Sequence, residues 1–275
     1  SDDDGETWRP LSRLKLADGM LLTLDDAVYV LGTGREGGVR RDVYITRSTD
    51  GGETWRELVQ IHEGPAWNSA TGVVIRDGQL YRAYDTATHQ ADRQLFVLAG
   101  NLSRDLLDPG SWRCSNAVGF PGLPEAMKRP INPDYRDHWL EANVVDIRGR
   151  LTVIARCRID DFGTCHLAGV CDLSDTEHDL KLEFTQFHPF PGGQQKFHIL
   201  YDDVSDLYWM VGNLVTDPQD HTGRFPRLRE RGYRGGAGNE RRILALFYSL
   251  DSLNWLQAGV VAMSKDPMQG FMYSQ

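Results

Sequence analysis

Two carboxylates and a handful of cations stand out in a chain otherwise made of short apolar runs. Asp85 closes the run Gln79–Asp85. Glu141 lies inside Trp139-Leu140-Glu141-Ala142-Asn143-Val144-Val145, where a carboxylate needs a cationic partner or takes a raised pKa. Arg156 and Arg158 share one face of an alternating run, so one of them is expected to pair with Glu141 or Asp85. Arg35, Lys196, His198 and Asn213 sit at the ends of other runs, Trp67 offers an aromatic ring, and Tyr273 a phenol. Paired carboxylates can give and take protons at a reacting bond. Guanidinium groups bind a carboxylate bidentately. A tyrosine beside a carboxylate can act as a nucleophile. Each residue also has a plainer reading: Arg35 in a solvated loop, Asp85 capping a turn, Lys196 and His198 in a buried structural network.

These residues act together only if the elements carrying them converge. Apolar and polar residues alternate in short runs broken by Gly, Asp and Asn, which predicts antiparallel strands in groups of four. The first group is Met20–Asp25, Ala27–Thr33, Arg41–Arg47 and Thr54–Ile61. The second is Ser69–Arg76, Gln79–Asp85, Gln94–Asn101 and Ser111–Val118. The third is Leu140–Ile147, Arg150–Arg158, Thr164–Asp172 and Leu182–His188. The fourth is Lys196–Asp202, Leu207–Leu214, Arg242–Leu250 and Asn254–Ala262.

An octapeptide is written twice. Ser1-Asp2-Asp3-Asp4-Gly5-Glu6-Thr7-Trp8 returns as Ser48-Thr49-Asp50-Gly51-Gly52-Glu53-Thr54-Trp55. The shared frame is S-x-D-x-G-x-T-W, with a shortened copy at Ser249–Trp255 and looser ones at Ser103–Trp112 and Asp172–Asp175. The Asp carboxylate suits a tight turn, and the Gly a positive φ. Repeated four-strand units of this size indicate a β-propeller.

The octapeptide resembles the Asp-box (BNR) repeat of sialidases. That resemblance implies an all-β, six-bladed sialidase-like propeller over the whole of 1–275 as one domain, with a five-bladed ring as the alternative. Residues 1–8 then read as the tail of one blade and Gly270–Gln275 as the first strand of another, so the ring is expected to be incomplete at both ends. The resemblance also implies an exo-glycoside hydrolase acting on an acidic or other terminal sugar. In that family three arginines hold the sugar carboxylate, an Asp is the acid/base, and a Tyr nucleophile is activated by a Glu. By position, Arg35, Arg156 and Arg158 are the arginines available, Asp85 the acid, Glu141 the carboxylate beside the nucleophile, and Tyr273 the nucleophile. A carbohydrate-binding propeller without catalysis and a propeller polysaccharide lyase are the alternatives.

Strand order separates two ends of each blade. The octapeptides join third to fourth strands, so they fall on one rim with a structural role. The starts of first strands and ends of second strands fall on the opposite mouth. There lie Arg35, Trp67, Asp85, Glu141, Arg156, Arg158, Lys196, His198, Asn213 and Tyr273. Two long connections, 121–138 and 217–240, border the same mouth. The second carries Arg224, Arg227, Arg229, Arg231 and Arg234 and reads as a mobile loop or a cationic lid.

Bulk properties narrow the partners. Thirty Lys and Arg against 39 Asp and Glu give a net charge of −9, which argues against nucleic acid. No apolar run is long enough for a membrane span. Cys114, Cys157, Cys165 and Cys171 fit no zinc spacing and are expected to be mainly buried thiols, so neither metal nor cofactor is called for. The expected partner is an oligosaccharide or glycoconjugate. A glycan-degrading role favours a secreted or periplasmic setting, and oligomeric state is left open.

Overall fold

The runs Gln79–Asp85, Gln94–Asn101, His138–Ile147 and Arg150–Arg158 are buried along nearly their whole length, so their sheets are packed on both faces, whereas Ile243–Ser249 alternates buried and half-exposed residues. The computed structural model describes the chain apart from residues 37–38, 69–70, 87–91, 129–134, 161–165, 217–223, 233–239, 267–269 and 272–275, and the side chains of 35, 36, 39–41, 224 and 225. The first sheet runs β1 (Ala17–Leu24), β2 (Ala27–Glu36), β3 (Val39–Ser48), β4 (Val59–His62). The second runs β5 (Val74–Arg76), β6 (Gln79–Asp85), β7 (Gln94–Asn101), β8 (Trp112–Cys114), with β9 (Val118–Gly119) also pairing β7. The third is β10 (His138–Ile147), β11 (Arg150–Arg158), β12 (Leu167–Asp175), β13 (Leu180–Pro189). The fourth is β14 (Phe197–Asp202), β15 (Leu207–Leu214), β16 (Ile243–Ser249), β17 (Trp255–Met263). All strand pairings are antiparallel and, apart from β7 with β9, join chain neighbours; among the described residues no sheet closes on itself.

Three apolar clusters fill the three spaces between successive sheets. Leu31, Val43 and Ile45 meet Leu80, Tyr84 and Phe96 between the first and second. Tyr81, Val97 and Ala99 meet Val144, Val153 and Trp139 between the second and third. Val145, Ile154 and Phe190 meet Phe197, Met210 and Phe247 between the third and fourth. Polar clips cross the same spaces. Asn68 Nδ2 donates to Ala142 O at 3.0 Å, and Asn143 Nδ2 to Phe197 O at 3.1 Å. The tight hairpin turns fit their sequences. Asp77-Gly78 and Arg148-Gly149 carry φ of 49° and 72°, and 47° and 93°, as two-residue turns between twisted strands require.

The two octapeptides fold alike. Asp3 Oδ1 accepts Thr7 N at 2.9 Å and Asp50 Oδ1 accepts Thr54 N at 2.9 Å. Ser1 and Ser48 hydroxyls each accept the Gly N–H four residues on, at 2.8 Å, and Trp8 and Trp55 indoles donate to Gly5 O and Gly52 O at 3.0 Å. The shortened copy repeats the core of this pattern, with Asp251 Oδ1 accepting Ser249 Oγ at 2.9 Å and Asn254 N at 2.7 Å.

Several elements differ from the sequence expectation. Of the strand expected over Ser69–Arg76, the described residues 71–76 are strand at Val74–Arg76. Ser111–Val118 is split into β8 and β9, because the Ser115 hydroxyl takes the Val97 N–H at 2.9 Å and the Asn116 side chain brackets Leu182 instead of pairing along β7. Within 217–240, expected as irregular loop, Arg224–Glu230 is a short helix, α1, with Pro226 in its first turn, where a missing N–H costs nothing. Its Leu228 is buried while Arg227 and Arg229 are exposed. Cys157 and Cys171 are buried but Cys114 is exposed, correcting part of the cysteine expectation. Cys165 and Arg234 lie outside the described residues. No described helix is long and apolar enough to cross a membrane.

Candidate functional site

Glu141 owes its position to a β-bulge. β10 and β11 pair Trp139 with Cys157 and Ala142 with Ala155, so Leu140 and Glu141 together oppose Arg156. An extra residue of this kind re-aims a side chain locally. Glu141 is 2% exposed, and its carboxylate is held from two sides. Arg156 Nη1 donates to Oε2 at 2.9 Å, and Lys196 Nζ lies 2.6 Å from Oε1. Burial pushes the Glu141 carboxyl upward, but Arg156 and Lys196 outweigh it and hold the pKa below the usual carboxylate value. Glu141 is therefore an anion at neutral pH.

Arg156 is fixed by Gln194. Its Nε donates to the Gln194 carbonyl at 2.9 Å. The Gln194 side chain accepts from Ile159 N and Asp160 N at 2.8 and 3.0 Å and donates to Asp160 Oδ1 at 2.8 Å. The segment leading into β14 is thus tied to the end of β11, which brings Lys196 to Glu141.

A second group forms around Trp67. Trp67 and Asp85 make an isolated antiparallel bridge at the end of β6. Arg93 Nη1 lies 3.6 Å from Asp85 Oδ2, whose side chain is fully buried. The Arg93 guanidinium sits 5.0 Å from the Trp67 ring centroid, and Lys196 Nζ 5.1 Å from it. Cation–ring contacts at this range are attractive. Lys196 therefore touches both groups: the Glu141 carboxylate and the Trp67 ring.

His138, the first residue of β10, completes the cluster. It is 1% exposed, and its Nδ1 faces Arg136 O at 2.8 Å, so Nδ1 carries the proton and Nε2 the lone pair. Burial lowers the His138 pKa, the Arg136 carbonyl opposes that, and Arg93, Arg158 and Arg156 lower it further. His138 is neutral at neutral pH and sits among three guanidinium groups.

The structure thus gathers Trp67, Asp85, Glu141, Arg156, Arg158 and Lys196, with Arg93, His138 and Gln194 added. Arg93 falls just before the expected start of β7, and only its position after Asp85 in the next connection hinted at it. Asn213 is buried at the end of β15, but its amide is engaged by backbone: it donates to Phe271 O at 3.1 Å and to Arg241 O and Ile243 O at 3.4 Å. His198 lines a cavity beyond Lys196 rather than the Glu141 cluster. Tyr273 and the Arg35 side chain lie outside the described residues.

With this geometry in hand, the chain can be set beside solved structures. It superposes on an exo-beta-1,3-galactanase from Clostridium thermocellum with a TM-score of 0.51 and 14% identity, over 90% of this chain and 49% of that one. A family 117 glycoside hydrolase produced by Zobellia galactanivorans gives 0.51 at 12% identity, over 92% and 71%. The chain has the fold of these glycoside hydrolases. An alpha-L-arabinofuranosidase from Lactobacillus brevis gives 0.55 at 9% identity, over 92% and 75%. At such identity the likeness concerns the fold alone, and four-stranded antiparallel sheets stacked in chain order are consistent with a propeller glycosidase. The chain spans about half the length of the galactanase. No family model matches the chain, and no curated protein matches its sequence.

Proposed function

We propose that the chain is a glycoside hydrolase domain that works on a terminal, negatively charged sugar at the mouth built by Trp67, Asp85, Glu141, Arg156, Arg158 and Lys196. The observation that carries the reading is Glu141, buried and kept ionised by Arg156 and Lys196 within hydrogen-bonding reach. A fixed anion is suited to a transition state of oxocarbenium character, and guanidinium groups gathered at the same mouth are suited to an acidic sugar. Being ionised, Glu141 is not the proton donor. Asp85, bridged to Trp67 through the backbone, takes the acid/base role, and Tyr273 the nucleophile's. The sialidase-like form of this proposal, a six-bladed propeller of one domain, rests on the shared octapeptide turns. The test is release of an aryl leaving group from sialosides, uronides and neutral glycosides. Loss of turnover in Asp85→Asn and Glu141→Gln supports the assignment; unchanged turnover in both overturns it.

A second reading, a carbohydrate-binding propeller without catalysis, draws on the same burial. Both carboxylates are sequestered by cations, an arrangement that also serves pure structure. Glycan binding with no turnover on any aryl glycoside would favour it.

A further inference from the structure

His138 opens β10 at the mouth end of the third sheet, with its Cα paired to that of Arg158 on β11. Its Nδ1 donates to Arg136 O at 2.8 Å, which leaves the lone pair on Nε2. No described residue hydrogen-bonds Nε2, and it is not sealed from solvent as His166 Nε2 is. The charges that act most strongly on the ring are guanidinium groups: Arg93 from the approach to β7, and Arg158 and Arg156 from β11. Arg136 and Asp137 precede it on its own segment. Burial and those three cations hold the imidazole below its ordinary pKa, against the opposing effect of the Arg136 carbonyl.

Hydrolysis of a glycoside needs one group to give a proton to the leaving oxygen and one to take a proton from the attacking hydroxyl. Glu141 is poorly suited to take one. Arg156 and Lys196 occupy its two oxygens and favour the ionised form, so protonating it would strand two buried cations. Asp85 is fully buried, 3.6 Å from Arg93, and in the reading above it serves the leaving oxygen. His138 carries the lone pair that neither carboxylate can offer, and it can gain a proton without breaking an ion pair. Its guanidinium neighbours make it a weak base in the free protein. An acidic sugar held among the same groups would offset their charge and strengthen the base at the moment it is used.

Resting on the hydrolase reading, we propose that His138 is a further catalytic residue of the mouth, its Nε2 taking the proton of the attacking hydroxyl. That oxygen then bonds to the anomeric carbon, the bond to the leaving oxygen breaks, and the leaving oxygen takes a proton from Asp85. The test uses aryl glycosides of uronic and sialic acids with the full chain and with His138→Asn, whose amide can still donate to Arg136 O. In the parent, kcat/KM is expected to fall on acidification through a pKa below the ordinary imidazole value of about 6.5. In kcat the same limb is expected at higher pH, because the bound anion raises the imidazole pKa. His138→Asn is expected to lose about 100-fold or more in kcat, together with the acid limb, while its circular dichroism stays that of the parent. Diethyl pyrocarbonate is expected to acylate His138 in the parent, as read by peptide mass spectrometry, and to stop turnover; where His138→Asn does not fold, this labelling decides. If Asp85→Asn and Glu141→Gln are inactive but His138→Asn keeps rate and limb, or an active parent leaves His138 unlabelled, this proposal alone is overturned. A parent with no turnover on any aryl glycoside overturns the hydrolase reading and this proposal together.

Discussion

Lys196 Nζ sits 2.6 Å from Glu141 Oε1 while 5.1 Å from the Trp67 ring centroid, so one ammonium just ahead of β14 joins Glu141 on β10 to Trp67 ahead of β5. With Arg156 on the other oxygen, the three charged side chains form a closed unit, each under 8% exposed. Removing one member strands the others without solvent. Glu141→Gln is expected to cost about 3–5 kcal/mol, since it leaves two buried cations. The triple replacement Glu141→Leu, Arg156→Met, Lys196→Met removes every charge and is expected to be more stable than Glu141→Gln alone. Urea midpoints at neutral pH check the order. A triple variant less stable than the single one would refute the idea that unpaired charge is the dominant cost.

The same unit gives the acid limb of stability a specific origin. Despite burial, Arg156 and Lys196 hold the Glu141 carboxyl below its ordinary value in the folded chain. A carboxyl depressed on folding contributes stability above its unfolded pKa of about 4.3, and loses it as pH falls through the folded value. Stability should therefore drop below about pH 4 more steeply in the parent than in Glu141→Gln. Thermal unfolding followed from pH 7 to 3 reads this directly, and parallel curves for the two proteins would rule Glu141 out as the source.

The shortened octapeptide makes an independent pH prediction. Asp251 loses some affinity for its charge through partial burial, but bonds from Asn254, Leu253 and Ser249 take its pKa down to about 2. Its contribution is complete above the unfolded value near 4 and fades as pH falls toward 2. Asp251→Ala should lower Tm at pH 7 by a few degrees, and the gap to the parent should narrow on acidification. Asp251→Asn keeps the side-chain acceptor oxygen and should fall between the two. Calorimetry at pH 7 and pH 3 distinguishes these outcomes; a gap that widens toward acid would contradict the turn's role.

These residues also show what the sequence carries and what it hides. Asp85 closes β6 where alternation ends, and β6, β7, β11 and β15 follow the pattern to the residue, because strand ends flanked by Gly, Asp or Asn are local events. That one of Arg156 and Arg158 would pair with Glu141 or Asp85 was legible from their shared face on an alternating run, but which of them pairs with which carboxylate was not; the structure pairs Arg156 with Glu141. The bulge at Leu140 and Glu141 was not legible, since an extra residue in one strand shows only against its partner's register. Arg93 and Gln194 lie outside regular strands and reach the site through connections whose path is set by tertiary contacts. Lys196 and His198 alternate on β14 and its approach as the sequence implies, yet they serve different spaces, the mouth and the cavity. The hydrogen bonds of the octapeptide explain why it recurs, and the proposed sugar site lies at the opposite end of the strands.

Packing behind the site supplies the last prediction. Trp139 is fully buried between the second and third sheets, and its indole lies directly over Gly169 of β12. A Cβ on Gly169 would overlap the Trp139 ring. The glycine has no positive φ among the described residues, so its value lies in space and not in backbone freedom. Gly169→Ala should cost about 1–3 kcal/mol by overpacking, and Gly169→Val more. The clash is with one ring, so Trp139→Phe in the Gly169→Ala background should recover part of the loss, even though Trp139→Phe alone is destabilising. Trp139 is two residues from Glu141 and borders the bulge that aims it, so Gly169→Ala should also disturb the mouth. Urea melts give the coupling energy, and additive losses in the double variant would show that the two positions do not compete for the same space.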